Sequence, residues 1–329
     1  MADGAFPGVR LHVVSGKGGT GKTTVAAALA IALASGPGRR VLLTEVEGRQ
    51  GLAQLFDTPP LPYEERKVAG APGGGEVLAL AIDPEEALLE YLQMFYNLRR
   101  AGATLKRLGA VDFATTIAPG MRDVLLTGKV MEAARRKKPD GSFVYDAVVL
   151  DAPPTGRITR FLNVNSEVST LARVGPIKGQ AEAVMSLIRS PATAVHLVTI
   201  LEEMPVQETS DGVAELTAAD LPLGAVVVNM VRDPLLPAED LLAARAGEMS
   251  ADALTAGMRE AGLEPDARLV GTLLAEATDH ADRVELEESG RTRLEALARP
   301  TAELPLLSDA IDLGALLHLS MLLREQGLR

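Results

Sequence analysis

The sequence predicts an α/β fold with a mostly parallel central sheet flanked by helices. Three observations carry this expectation. Short β-branched apolar runs alternate with longer helical stretches, a glycine-rich loop joins the first run to the first helix, and no linker separates two cores. Val9 to Ser15 (VRLHVVS) is the first strand, ending in glycines. Lys22 to Ala34 follows as an Ala/Leu-rich helix of high propensity. Arg40 to Val46 and Glu76 to Ile82 read as the next strands, which makes a βαβ unit. Ala69 to Gly75, rich in Gly and Pro, reads as a loop. In Pro84 to Leu108, the residues Leu88, Tyr91, Leu92, Phe95 and Leu98 recur at three- and four-residue steps and mark an amphipathic helix. Ile117 to Arg136 continues with helix spacing after Pro119-Gly120. Val144 to Leu150, Ala194 to Ile200 and Ala225 to Asn229 supply further buried strands, and a last one lies near Glu303 to Leu307. Asp266 to Ala298 is another long helical tract. Residues 1–329 therefore read as a single domain with a helical subregion over about 84–136.

Composition excludes several classes of function. With 33 basic and 44 acidic residues among 329, the net charge is −11, so no domain-wide basic footprint exists and no nucleic-acid partner is expected. The chain has no cysteine, which removes disulfides, thiolate zinc sites, cysteine-held iron–sulfur clusters and cysteine nucleophiles. The longest purely apolar run, Val25 to Ala34, is too short to cross a bilayer. Met1-Ala2-Asp3-Gly4 begins no signal peptide, so a cytoplasmic protein is expected. His12, His196, His280 and His318 are scattered and read as core or surface residues rather than ligands.

The chemistry concentrates after the first strand, in Gly16-Lys17-Gly18-Gly19-Thr20-Gly21-Lys22-Thr23-Thr24. This fits the phosphate-binding loop of P-loop NTPases: Gly, four residues, Gly, Lys, Ser/Thr. Glycines let successive backbone N–H groups turn toward an anion, and the helix N-terminus adds its dipole. Lys22 is placed to reach the β- and γ-phosphates of ATP, and the Thr23 hydroxyl to ligate Mg²⁺. Gly16, Gly18 and Gly21 also satisfy a dinucleotide fingerprint, with Glu45 or Glu47 as the ribose acid, so an NAD-dependent oxidoreductase is an alternative. Lysine usage weighs against it. The chain has 8 lysines against 25 arginines, yet Lys17 and Lys22 both sit in this loop. The strand Val148-Val149-Leu150-Asp151 ends in an acid suited to organising Mg²⁺.

GKGGTGKTT resembles the deviant phosphate-binding loop of the ParA, MinD, nitrogenase iron protein and ArsA group. That resemblance implies that Lys17 reaches across a dimer interface to the partner's nucleotide; a solvated loop charge is the plainer alternative. Asp151-Ala152-Pro153-Pro154-Thr155-Gly156-Arg157-Ile158-Thr159-Arg160 resembles the second switch of the ArsA-type and tail-anchored-protein-targeting ATPases, DTAPTGHTLR. Pro119-Gly120-Met121-Arg122-Asp123 resembles a helix start of the same family. The first switch departs from it. Where the family has DPAH, this chain has Glu47-Gly48-Arg49-Gln50, which implies Glu47 as the water-positioning carboxylate, with Glu45 or a structural role as alternatives. Arg157 stands where the family has histidine, for phosphate, for a partner or simply at the surface. The resemblance also implies that Asn229 reads the adenine edge and that the loop at Pro305 packs on the base, although an asparagine after a strand is also a good turn residue.

The resulting expectation is a Mg-ATP-binding and hydrolysing switch without metalloid or zinc site, since both family chemistries need thiols. One phosphate-binding loop implies a homodimer, or a heterodimer with a paralogous ATPase. A nucleotide-binding scaffold with little turnover is the interaction-class alternative. The face around Tyr91, Leu92, Met94, Phe95 and Tyr96 either covers the sheet or receives a protein client. The apolar face of Leu313 to Arg329 is expected to pack on the body, with membrane contact at most peripheral.

Overall fold

A computed structural model describes residues 5–48, 50–96, 120–171 and 176–329. Its centre is an eight-stranded sheet: β1 (Leu11–Gly16), β2 (Arg40–Glu45), β3 (Arg66–Ala71), β4 (Gly75–Ala81), β5 (Ala147–Asp151), β6 (Thr193–Thr199), β7 (Leu223–Val231) and β8 (Thr301–Pro305). The strand order is β3-β4-β2-β5-β1-β6-β7-β8, with every neighbouring pair parallel except β3–β4. Strands of a parallel sheet covered on both faces read as continuous apolar runs, which is why β1, β2, β5, β6 and β7 stand out in the sequence.

Alternation along each strand splits the core in two. On one face, Leu11 and Val13 of β1 pack with α4 (Met121–Arg135), α5 (Thr155–Leu171), α6 (Pro176–Ile188) and α7 (Glu203–Ala218). On the other, Val14 packs with α1 (Lys22–Ala34) and α11 (Leu313–Glu325). Every residue of α1 from Val25 to Ala34 is buried, because the helix lies between the sheet and α11. A helix apolar on all sides requires such cover, and its alanines permit the close approach. The expected packing of the C-terminal helix on the body is thus observed. α10 (Ala267–Glu295) closes a smaller cluster through Leu294 against Val226 and Val228. The remaining helices are α2 (Gly51–Leu55), α3 (Pro84–Tyr96), α8 (Ala238–Ala246) and α9 (Ala251–Glu260).

One expectation is corrected. Ala69 to Ala71 belong to β3, and Gly75 opens β4, so only the turn between them is a loop. β3 is an edge strand carrying Arg66, Lys67 and Gly70, a composition that protects an edge and hides the strand's periodicity. The last predicted strand begins at Thr301, two residues before its expected start. The predicted helix from Pro84 is observed to Tyr96; its continuation to Leu108 and the start of the next at 117–119 lie outside the described residues, as do the side chains of Tyr91, Leu92, Met94, Phe95 and Tyr96. Among the described residues no helix is long and apolar enough to cross a membrane.

Candidate nucleotide site

The loop Gly16–Gly21 leaves the carboxyl end of β1 and enters α1, where ligand sites of open parallel sheets lie. Two glycines are sterically required. A Cβ at Gly16 would stand 2.1 Å from the Val198 carbonyl oxygen, and one at Gly21 would stand 2.4 Å from Asn229 Nδ2. Gly21 also has φ 82°, in the left-handed region that favours glycine, and as N-cap it offers no side chain to the first amides of α1. Those amides are left for an external acceptor. Thr20 is buried and folds back, its hydroxyl donating to the Lys17 carbonyl at 2.9 Å. Gly18 and Gly19 form the exposed crest, and Lys22, Thr23 and Thr24 begin the helix, half-buried.

Across the loop, Thr23 Oγ1 donates to Asp151 Oδ2 at 2.6 Å. Burial pushes the Asp151 carboxyl up to about 6, with Glu45 and Glu47 adding to the effect against the Thr23 hydrogen bond and the Lys22 charge. Four of the sequence-predicted groups thus act on a single carboxylate. Ser15 Oγ donates to the Pro153 carbonyl at 2.6 Å and ties the end of β1 to the segment after Asp151.

Glu45 and Glu47 are separated by the end of β2. Glu45 is buried and pairs in register with Asp151; its Oε2 accepts from the Leu52 N–H at 2.9 Å, while its buried Oε1 has no hydrogen-bond partner. Glu47 is half-buried and lines a cleft of about 210 Å³ with Arg122, Asp123 and Arg157. Gln50, which replaces the family's histidine, braces the next turn through two hydrogen bonds with the Leu61 backbone.

Asn229 is buried and donates from Nδ2 to the Thr20 carbonyl at 2.9 Å. The register of β7 on β8 shifts between Val228 and Val231, and Met230 takes φ 58°. This irregularity aims Asn229 at the phosphate loop and leaves Met230 exposed beside it, its Cε 3.4 Å from where a Gly21 Cβ would be. Pro305 ends β8 opposite Val231.

Lys17 does not stand free. Its Nζ is 2.7 Å from Glu208 Oε1 on α7, within the same chain. On that helix Gly212 faces Thr155, where a Cβ would stand 2.5 Å from Thr155 Cγ2, and Glu215 accepts from Thr159 Oγ1 at 3.4 Å. The sequence reading missed α7 and Met230; their contacts are long-range, and neither residue type nor spacing announces them.

Comparison with known proteins follows this geometry. The profile of the family described as anion-transporting ATPase (ArsA) matches residues 9–192. The chain is 56% identical over 323 residues to ATPase BagA of Mycobacterium tuberculosis, covering 98% of this chain and 94% of that protein. It is 28% identical over 251 residues to ATPase GET3 of Kluyveromyces lactis, covering 66% of this chain and 71% of that protein. It is 28% identical over 323 residues to the arsenical pump-driving ATPase of Acidiphilium multivorum, covering 92% of this chain and 52% of that protein.

Proposed function

Since this chain belongs to the ArsA family of anion-transporting ATPases, we propose that it is a Mg-ATP-driven switch that works as a dimer and couples nucleotide state to a protein partner. The observation that carries this reading is the 2.6 Å bond between Thr23 and Asp151, one on the helix after the phosphate loop and one at the end of the neighbouring strand. A hydroxyl and a carboxylate are hard oxygen donors of the kind Mg²⁺ takes, usually with phosphate and water completing the set. The buried, unpartnered Oε1 of Glu45 adds an acceptor for a water on the same ion. Bound there with ATP, Mg²⁺ would neutralise charge on the β- and γ-phosphates.

The other groups divide the work. Amides of the loop and the first turn of α1 cradle phosphate oxygens, and Lys22 supplies the cation at their far end. Glu47, at the mouth of β2, positions the attacking water, with Arg122 and Arg157 holding the cleft around it. Asn229 holds the loop and presents the rest of its amide to the base edge, with exposed Met230 and Pro305 as apolar flanks. Lys17 leaves Glu208 when a second subunit approaches and stabilises charge on the partner's nucleotide, as a cation supplied in trans does. The second subunit is another copy or a paralogous ATPase.

The experiment is calorimetric titration of Lys22→Ala with Mg-ATP. Binding is expected to be lost while circular dichroism and thermal midpoint stay those of the wild type. Wild-type affinity in this variant would remove the assignment of the site, and a preference for NAD over ATP in the wild type would favour the oxidoreductase instead.

A further inference from the structure

Two buried histidines take no part in the nucleotide site. His12 on β1 and His196 on β6 occupy adjacent strands, their rings nearly parallel (7°) with centroids 5.3 Å apart. His12 Nδ1 lies 3.1 Å from His196 Nε2. Burial holds both rings neutral, pushing His12 down to about 4 and His196 well below its ordinary value. Neutral rings admit one arrangement of protons. The Ala225 N–H donates to His196 Nδ1 at 3.0 Å, so His196 carries its proton on Nε2 and donates it to His12 Nδ1. His12 therefore carries its own proton on Nε2. That N–H is buried and meets no acceptor within ordinary hydrogen-bond distance and angle; the Val9 backbone is the nearest polar group and favours the protonated ring. A relay of donors that begins at the sheet backbone ends on an unanswered N–H, and buried donors without acceptors are rare.

His12 lines a cavity of about 450 Å³ at the amino ends of the strands, away from the phosphate loop at their carboxyl ends. A second buried donor without a partner, Arg324 Nε of α11, lines the same cavity. Arg39 and Arg329 add positive charge to its wall. Among the described lining side chains the acid is Asp146, which accepts from the Arg40 N–H at 2.8 Å and faces the Arg10 charge, and Arg329 brings a terminal carboxylate beside its guanidinium. On a chain of net charge −11, this is a cationic cavity whose buried unpaired atoms are both donors. Phe6, edge-on to His196 with centroids 5.0 Å apart, supplies an apolar wall.

We propose that this cavity binds a small oxyanion, a carboxylate or phosphate head on a compact apolar body, with His12 Nε2–H and Arg324 Nε–H as its fixed donors. Two donors set by the fold read oxygen acceptors, and the arginines balance their charge. The site is separate from the nucleotide site and needs nothing from it.

The test uses full-length Lys22→Ala protein, so that the phosphate loop does not compete. Inorganic phosphate is titrated in one arm and benzoate in the other, followed by calorimetry and by the ring ¹⁵N–¹H signals of His12. Saturable binding is expected in at least one arm, with a shift of the His12 Nε2–H signal and at least tenfold weaker binding in Arg324→Ala. Binding confined to one arm identifies the head group as phosphate or carboxylate. His12→Phe should abolish the response, and because that core change can impair folding, the half-buried Arg324 carries the decisive comparison. Failure of both probes to saturate, or equal affinity in Arg324→Ala with the His12 signal unmoved, would overturn the proposal and leave water as the occupant.

Discussion

Two glutamates two positions apart meet opposite conditions. Glu45 ends inside the sheet and holds the Leu52 amide, whereas Glu47 stands in an open cleft beside two arginines. Glu47→Gln is therefore expected to retain Mg-ATP binding and slow single-turnover hydrolysis by roughly 10²-fold or more, the scale of a lost acid–base group, while Glu45→Gln does less. Rapid-quench kinetics on both variants decides; an unimpaired Glu47→Gln enzyme would place the water on another group. His12 gives a second expectation. Its folded value of about 4 lies below the ordinary 6.5, so the native state binds fewer protons than the unfolded state. The stability it contributes is complete above pH 6.5 and is lost as pH falls toward 4. Urea unfolding across this window should show that slope, and His12→Phe should lessen it, with buried His196 keeping a share of its own. At this scale the loop residues were legible because glycine and lysine act through their own backbone and charge. The histidine relay was not, because a ring's proton is set by whichever strand becomes its neighbour.

Helix α7 carries Glu208, Gly212 and Glu215 on one face, at steps of four and three, and with them touches Lys17, Thr155 and Thr159. It thus spans from the glycine-rich loop to the first turn of α5. Gly212→Ala would ordinarily help a helix by about 0.5–1 kcal/mol, but here the added methyl meets Thr155, so the variant should unfold at lower urea than the wild type. Glu208→Gln leaves an exposed ion pair broken, which should cost stability little, on the order of 0–1 kcal/mol. Its expected effect is on association: freed Lys17 should tighten the ATP-promoted dimer in sedimentation velocity, and Lys17→Ala should abolish it. An unchanged dimer in both would make the lysine a surface charge. Most strands were legible because central parallel strands are apolar throughout. The edge strand β3 was not, since Arg66 and Lys67 guard it.

Across the whole molecule, the sequence offers no thiol with which to hold a metalloid. Arsenite and antimonite should leave its ATPase rate unchanged in a steady-state assay; reproducible stimulation would require a site built without sulfur. The sheet order has a further effect, on the timing of synthesis. β1 lies between β5 and β6, and Gly21 abuts Asn229, so the phosphate loop leaves the ribosome long before its walls. At about 5–20 residues per second, some 200 residues separate the translation of Gly21 from that of Asn229, a delay of roughly 10–40 s. Throughout it, the apolar helix Val25–Ala34 lacks the cover of α11, which is made last, although the strands it packs on, β1 to β5, are complete by Asp151. The nascent chain consequently cannot draw on nucleotide for stability until most of it is made, and for that interval it depends on whatever shields apolar helices at the tunnel exit.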